Sequence, residues 1–134
     1  MTTDDEMKAI FKDCKTIAVV GLSDNPARPS YGVARYLQQL GFRIIPVNPK
    51  LTEVLGEKCY ASLCDVPDKI DMVDCFRRSE EIVPIAKDAV AIGAKCLWMQ
   101  IGVINHEAAK IAQDAGLRVV QDKCTKIEFR RTNI

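Results

Sequence analysis

The stretch from Thr16 to Lys50 constrains the fold more than any other part of the chain. A short apolar run, TIAVV at 16–20, leads into Gly21 and a loop with two prolines, Pro26 and Pro29. A helical pattern follows, with Val33, Tyr36, Leu37 and Leu40 at three- and four-residue spacing and Gly41 to close it. A second apolar run, FRIIPV at 42–47, ends the unit. A strand that is apolar along its whole length is buried on both faces, as in a parallel sheet covered by helices. In a βαβ unit of that kind, the first turn and the helix N-terminus aim backbone N–H groups at one crevice. Two marks of a dinucleotide site are missing. The first turn is Gly21-Leu22-Ser23 and not G-x-G-x-x-G, and the second strand ends in Asn48-Pro49-Lys50, where a carboxylate for ribose hydroxyls is expected.

The rest of the chain repeats the alternation. Met7, Ile10, Phe11 and Cys14 mark an amphipathic helix over 4–14. The segment 49–68 is less regular, with a helical turn expected around 61–65. IDMVDCF at 70–76 forms a third strand, and Ser79 is expected to cap a helix reaching Ile92. Glu80 and Glu81 suit the positive end of that helix, and Pro84 is tolerable in its first turn. KCLWMQI at 95–101 forms a fourth strand. Asn105 caps a helix from His106 to Ala115 that Gly116 ends, LRVVQ at 117–121 forms a fifth strand, and a last helical turn follows Lys123. Ser30 is the expected N-cap of the first crossover helix. Pro46 donates no ladder hydrogen bond, so it is expected near a strand end or beside an unpaired position. Short right-handed crossovers then give a Rossmann-like α/β fold, an open parallel five-stranded sheet with helices on both faces. One domain spans residues 1–134.

Composition excludes several classes of function. Nineteen Lys and Arg against 18 Asp and Glu give a net charge of +1, with no general attraction to nucleic acid or to an anionic membrane. No apolar run approaches the ~18 residues of a spanning helix. The N-terminal MTTDDEMKAI lacks a signal-peptide pattern, so a cytoplasmic protein is expected. Six cysteines contain no C-x-x-C, and one histidine makes a Cys/His zinc site an unattractive reading. They are taken as reduced thiols, with Cys75 and Cys96 as small buried hydrophobes. No metal ligand and no catalytic residue is assigned. His106 reads as a surface residue and Trp98 as core.

In such sheets a ligand binds outside the carboxyl ends of the strands. Arg28, Lys50, Arg77, Arg78 and Lys123 all follow strand ends, a local concentration of cations that implies a polyanion. Gly21 admits the backbone to a pyrophosphate, Arg28 suits bidentate pairing with a phosphate, and Lys50 suits a ribose that itself carries a phosphate. NADP, with a 2′-phosphate, and coenzyme A, with a 3′-phosphate, are the two common ligands of that kind. Plainer roles stand beside these: Ser30 as a cap, Arg77 and Arg78 as a solvated edge, Asn48 as a turn residue, Lys50 as a free surface lysine. Gln100 could face the crevice. Cys124 is either a buried small residue or a thiol made reactive by Lys123.

Four segments in this order, VVGLSDNPARPSYG, PVNPK, VDCFRR and DKCTKIE, resemble the small stand-alone CoA-binding proteins. Those in turn are similar to the N-terminal CoA-binding domain of the succinyl-CoA synthetase alpha subunit, and the resemblance spans roughly residues 10–130. It implies that Gly21, Leu22 and Ser23 hold the diphosphate and that Asn48 and Lys50 meet the 3′-phosphorylated ribose. Phe76 and Arg77 flank the adenine and the phosphates; Arg28 and Ser30 complete the expected cofactor set. The second domain of the synthetase, with its phosphorylated histidine, has no counterpart in this sequence, so ligase activity is not implied. The expected function is therefore binding of coenzyme A, or a short acyl-CoA, through its 3′-phospho-ADP moiety, without catalysis and with no nucleic-acid or membrane partner. The alternative is an enzyme: an NADP-dependent oxidoreductase, or an acyl-CoA-handling protein using Cys124. Tyr31, Tyr36 and Tyr60 all lack a lysine four residues on, which argues against a short-chain reductase.

Overall fold

The computed structural model describes residues 2–133. Its elements are α1 (Asp4–Asp13), β1 (Thr16–Val20), α2 (Pro29–Gln39), β2 (Arg43–Val47), β3 (Glu53–Val54), β4 (Glu57–Lys58), β5 (Met72–Cys75), α3 (Ile82–Ala91), β6 (Cys96–Met99), α4 (His106–Asp114), β7 (Arg118–Val120) and α5 (Thr125–Thr132). The five long strands form one parallel sheet in the order β2-β1-β5-β6-β7. This is the Rossmann-like α/β architecture expected from the alternation of elements. Successive residues of a strand face opposite sides. Ile17 and Val19 accordingly join the core packed by α1 and α2, and Ala18 and Val20 join the core packed by α3 and α4. Trp98 lies fully buried in the first of these cores, its indole N–H donating to the Lys123 carbonyl at 2.7 Å.

From β1 the chain crosses to β2 on one side, and from β5 it runs on through β6 and β7 on the other. The carboxyl ends of β1 and β5 therefore mark the point where strand order reverses, the place such sheets leave a crevice.

Local chemistry differs from the sequence expectation in four places. First, α2 begins at Pro29, whose fixed φ suits the opening helical position, and Arg28 stands at the cap with no side-chain bond to the helix. Ser30 is thus not the N-cap. It lies buried inside the first turn, and its hydroxyl accepts from the Ser23 N–H at 3.0 Å, so it caps the preceding loop. Second, Ser79 opens a 3-10 turn, Ser79–Glu81, ahead of α3. Its hydroxyl donates to the Gly102 carbonyl and accepts from the Ile104 N–H, joining the loops after β5 and β6.

Third, the irregular segment contains the hairpin β3–β4, turned by Leu55 at φ 55° and Gly56 at φ 76°. That turn needs left-handed backbone at both positions, and leucine at the first is uncommon. Fourth, the tail folds into α5, eight residues and not a single turn. Phe129 of α5 packs edge-on against Phe11 at 5.3 Å and Phe42 at 5.5 Å, which seats the helix beside α1 and α2.

Pro46 fits the edge strand for a specific reason. Its carbonyl accepts from Tyr60 N–H, so its nitrogen faces the same outer side, and the ladder to β1 loses no donor.

Candidate functional site

The first loop closes on the two neighbouring strand ends. Gly21 sits at φ +88°, and a side-chain carbon there would overlap the Phe76 carbonyl oxygen and lie 2.9 Å from Arg77 Cδ. Its N–H donates to Val47 O at 2.8 Å, so the turn touches the ends of both β2 and β5. Only glycine satisfies the φ and the close approach together. Beyond it the loop is built from short local bonds. Ser23 Oγ accepts from Asn25 N–H, Asn25 Oδ1 accepts from Ala27 N–H, and Ser30 Oγ holds Ser23.

Asn48 closes the group from β2. Its side-chain Nδ2 donates to Leu22 O at 3.1 Å, and its Oδ1 accepts from Lys50 N–H at 2.9 Å. The structure thus brings Gly21, Leu22, Ser23, Ser30, Asn48, Phe76 and Arg77 into one contiguous cluster at the carboxyl edge. Within it Leu22 is wholly buried, its side chain in the core and its carbonyl bonded to Asn48. Arg28 and Lys50 are exposed at the margin, and neither forms an ion pair among the described residues. At the N-terminus of α2, which has no side-chain cap, Pro29 has no N–H and the Tyr31 N–H donates to Arg28 O, so among the described residues the Ser30 N–H is the donor left open there.

Two clefts open along this edge. The larger, about 740 Å³, runs past Pro29, Val33, Phe76, Gln100, Val103 and Cys124. The smaller, about 500 Å³, lies beyond β2 and is lined by Val47, Pro49, Leu63 and Ile85 among others. Arg77 and Glu81 line both, so their ion pair is the wall between the clefts. Arg77 Nε reaches Glu81 Oε2 at 3.1 Å, and the same oxygen accepts from Arg78 N–H. The Arg77 guanidinium beside it holds the Glu81 carboxyl below its usual range.

Beneath the larger cleft lies a polar cluster that sequence reading missed in part. Asp74 of β5 is fully buried; Gln100 at the end of β6 is 4% exposed, and Thr125 at the start of α5 is fully buried. Gln100 Nε2 donates to Asp74 Oδ1 at 2.6 Å and to Thr125 Oγ1 at 3.0 Å, while Thr125 Oγ1 donates to Asp74 Oδ2 at 3.2 Å. Burial pushes the Asp74 carboxyl up to about 7, against the two hydrogen bonds that favour its charged form. The available signal was a lone acid inside the apolar run MVDC, since a buried carboxylate demands partners.

Cys124 lines the larger cleft at 9% exposure. All six cysteines are free, and five are buried. The burial of Cys75 and Cys96 matches the sequence reading, and it pushes both thiols well above their ordinary value. No group of His, Cys, Asp or Glu among the described residues could hold a metal ion. His106 is exposed at the start of α4.

With this geometry in hand, comparison with known proteins identifies the lineage. A family model described as a CoA binding domain matches residues 15–130. The chain belongs to the CoA-binding domain family. Among its relatives is the uncharacterized protein YneT of Bacillus subtilis, 42% identical over 122 residues, covering 91% of this chain and 90% of that protein. Another is an ADP-forming acetate–CoA ligase of Methanocaldococcus jannaschii, 38% identical across 90% of this chain but only 18% of its own length. This CoA-binding domain superposes with a TM-score of 0.96 on a hypothetical protein from Pyrococcus horikoshii OT3, 41% identical, covering 98% and 93% of the two chains. It also matches a dinucleotide-forming acetyl-coenzyme A synthetase of Ca. Korarchaeum cryptofilum in complex with phosphate and ADP. There the TM-score is 0.74 at 28% identity, over 87% of this chain and 27% of the synthetase. The family therefore occurs both as small chains of this size and as a minor part of larger CoA ligases.

Proposed function

We propose that this CoA-binding domain holds coenzyme A, or a short acyl-CoA, through its 3′-phospho-ADP moiety, as a binding protein of the cytoplasm without catalysis of its own. The observation that carries this reading is the contact of the Gly21 turn with the Phe76–Arg77 strand end at the switch point, with a cleft on either side. That contact fills the space beside Gly21 with the Phe76 carbonyl and so brings the first loop and the Arg77 side chain to one edge, where a diphosphate can meet both. Gly21, Leu22 and Ser23 form the loop against which the diphosphate lies, the Gly21 and Ser23 N–H groups being already bonded to Val47 O and Ser30 Oγ; Arg28 supplies charge, and Arg77 turns from Glu81 to a phosphate oxygen. Lys50, held at the turn by Asn48, meets the 3′-phosphate. The smaller cleft beside Pro49 takes the adenosine, with Phe76 and Arg77 at the junction, and the larger takes the pantetheine arm toward Cys124. The free thiols suit a reducing compartment.

A ligand that binds only the folded state raises the melting temperature, by about 2.7 kcal/mol of added stability at a hundred times its dissociation constant. Thermal melts with CoA, acetyl-CoA, NADP and NAD at equal concentration test the reading. CoA and acetyl-CoA should each raise the midpoint by several degrees, with NAD inert. A rise with NADP and none with CoA would overturn it in favour of a dinucleotide site.

A further inference from the structure

Gln100 stands apart from the residues that resemblance or motif would single out, and its hydrogen bonds account for every proton around it. Its two amide protons go to Asp74 Oδ1 and Thr125 Oγ1, and the Thr125 hydroxyl proton goes to Asp74 Oδ2. With Asp74 ionised, the ring closes only in this sense. Turning the amide over would set its oxygen against the Asp74 carboxylate, acceptor against acceptor, in a site with no water-like dielectric to soften the repulsion. Asp74 and Thr125 thereby fix which end of the amide points out.

The outward end is the carbonyl oxygen. Among the described residues no donor reaches Gln100 Oε1, yet no fully buried side-chain oxygen or nitrogen lacks a partner. Oε1 therefore keeps an open approach, and the cavity that Gln100 lines is the 740 Å³ cleft. The surrounding walls are largely apolar: Val33, Phe76, Ile101 and Val103. A single buried acceptor in an apolar wall selects a ligand group that brings an N–H to that point, because a group without one leaves the acceptor dry and unpaired.

We propose that Gln100 is the specificity residue for the ligand's arm: its side-chain carbonyl accepts a hydrogen bond from an amide N–H of pantetheine, and Asp74 with Thr125 act as positioning residues that hold the carbonyl outward. The proposal rests on the CoA reading above and extends it from the nucleotide to the arm. The neighbouring Ile101, 63% exposed at the cleft rim, gives the methylenes on either side of that amide an apolar surface to cover.

The experiment compares four ligands at pH 8.5, where Asp74 is a carboxylate: CoA, 3′-phospho-ADP without the arm, and two CoA analogues in which one or the other pantetheine amide is replaced by an ester. Calorimetry on the unaltered protein avoids any question of folding. One of the two esters should bind about tenfold more weakly than CoA, the loss expected for a buried acceptor left unpaired. In Gln100→Met, confirmed folded by circular dichroism, CoA and that ester should bind alike, while 3′-phospho-ADP binds variant and parent equally. If both esters match CoA on the unaltered protein, Gln100 does not read the arm, although CoA binding stands. If Gln100→Met weakens 3′-phospho-ADP as much as CoA, the residue supports the fold of the whole site and the inference fails. Absence of CoA binding to the unaltered protein removes this inference and the reading beneath it together.

Discussion

Lys50 and Asp74 place charge in opposite surroundings. Lys50 stands in solvent beyond the Asn48 turn, unpaired among the described residues, while Asp74 is enclosed on every side. An exposed ammonium adds little to stability but retains its full attraction for a phosphate brought to it. Lys50→Ala should therefore leave the melting point of the free protein unchanged and weaken CoA by about 1.5–3 kcal/mol, the range for a charge-assisted hydrogen bond. Binding of dephospho-CoA should not change, which titration of both ligands checks. Asp74 affects stability instead. Its carboxyl titrates near 7 in the fold because burial disfavours the charge, against an ordinary value of 3.8. The folded state thus holds a proton that the unfolded chain has released. The stabilisation this gives is complete below the unfolded value and is lost as pH rises through about 7. Asp74→Asn cannot titrate, so relative to the parent it should gain on the order of 2 kcal/mol between pH 5.5 and pH 8 in urea unfolding. A constant difference across that range would show that Asp74 is ionised throughout.

Among the elements, the turn after β1 packs against Phe76 and Arg77, just ahead of the 3-10 turn after β5, and each turn answers a different substitution. Gly21→Ala forces a side chain into left-handed backbone and into the Phe76 carbonyl. Strain of that kind costs about 1–3 kcal/mol, so the denaturation midpoint should fall and CoA affinity with it. In the 3-10 turn, Glu81 competes with any phosphate for Arg77. Glu81→Gln keeps the shape and removes the competitor; since a half-exposed pair is worth about 0.2–1 kcal/mol, CoA should bind a few-fold tighter. Weaker binding would mean that Glu81 serves to orient Arg77. Ser30 and Ser79 show where element-level reading fails. Both are cap-type residues in cap-like positions, but each bonds across to another loop, and a partner seven or more than twenty residues away leaves no mark in local spacing. The β3–β4 hairpin escaped notice because its strands are two residues long and Leu55 occupies a position that usually signals itself with Gly or Asn.

Across the whole molecule, the sheet was legible because the strands are largely apolar runs and each crossover ends in a glycine or cap. The cluster of Gly21, Ser23, Asn48, Phe76 and Arg77 was legible for the same reason, since strand ends in a parallel sheet must share one edge. The ring of Asp74, Gln100 and Thr125 was not: its members lie on β5, β6 and α5, and only the strand order shows that these starts and ends coincide. Nor does spacing reveal that Arg77 divides the crevice in two, because its pairing with Glu81 depends on the 3-10 turn between them. On the reading proposed above, the two ends of one long ligand would take separate clefts. The nucleotide would then meet Lys50 and the arm Gln100. Calorimetric titration of the unaltered protein with CoA and with dephospho-CoA tests that division most directly. One CoA should bind per chain, at least about tenfold more tightly than dephospho-CoA, the low end of the energy of a charged hydrogen bond. Equal affinities, or heat from neither ligand, would contradict a site built around a 3′-phosphorylated adenosine diphosphate.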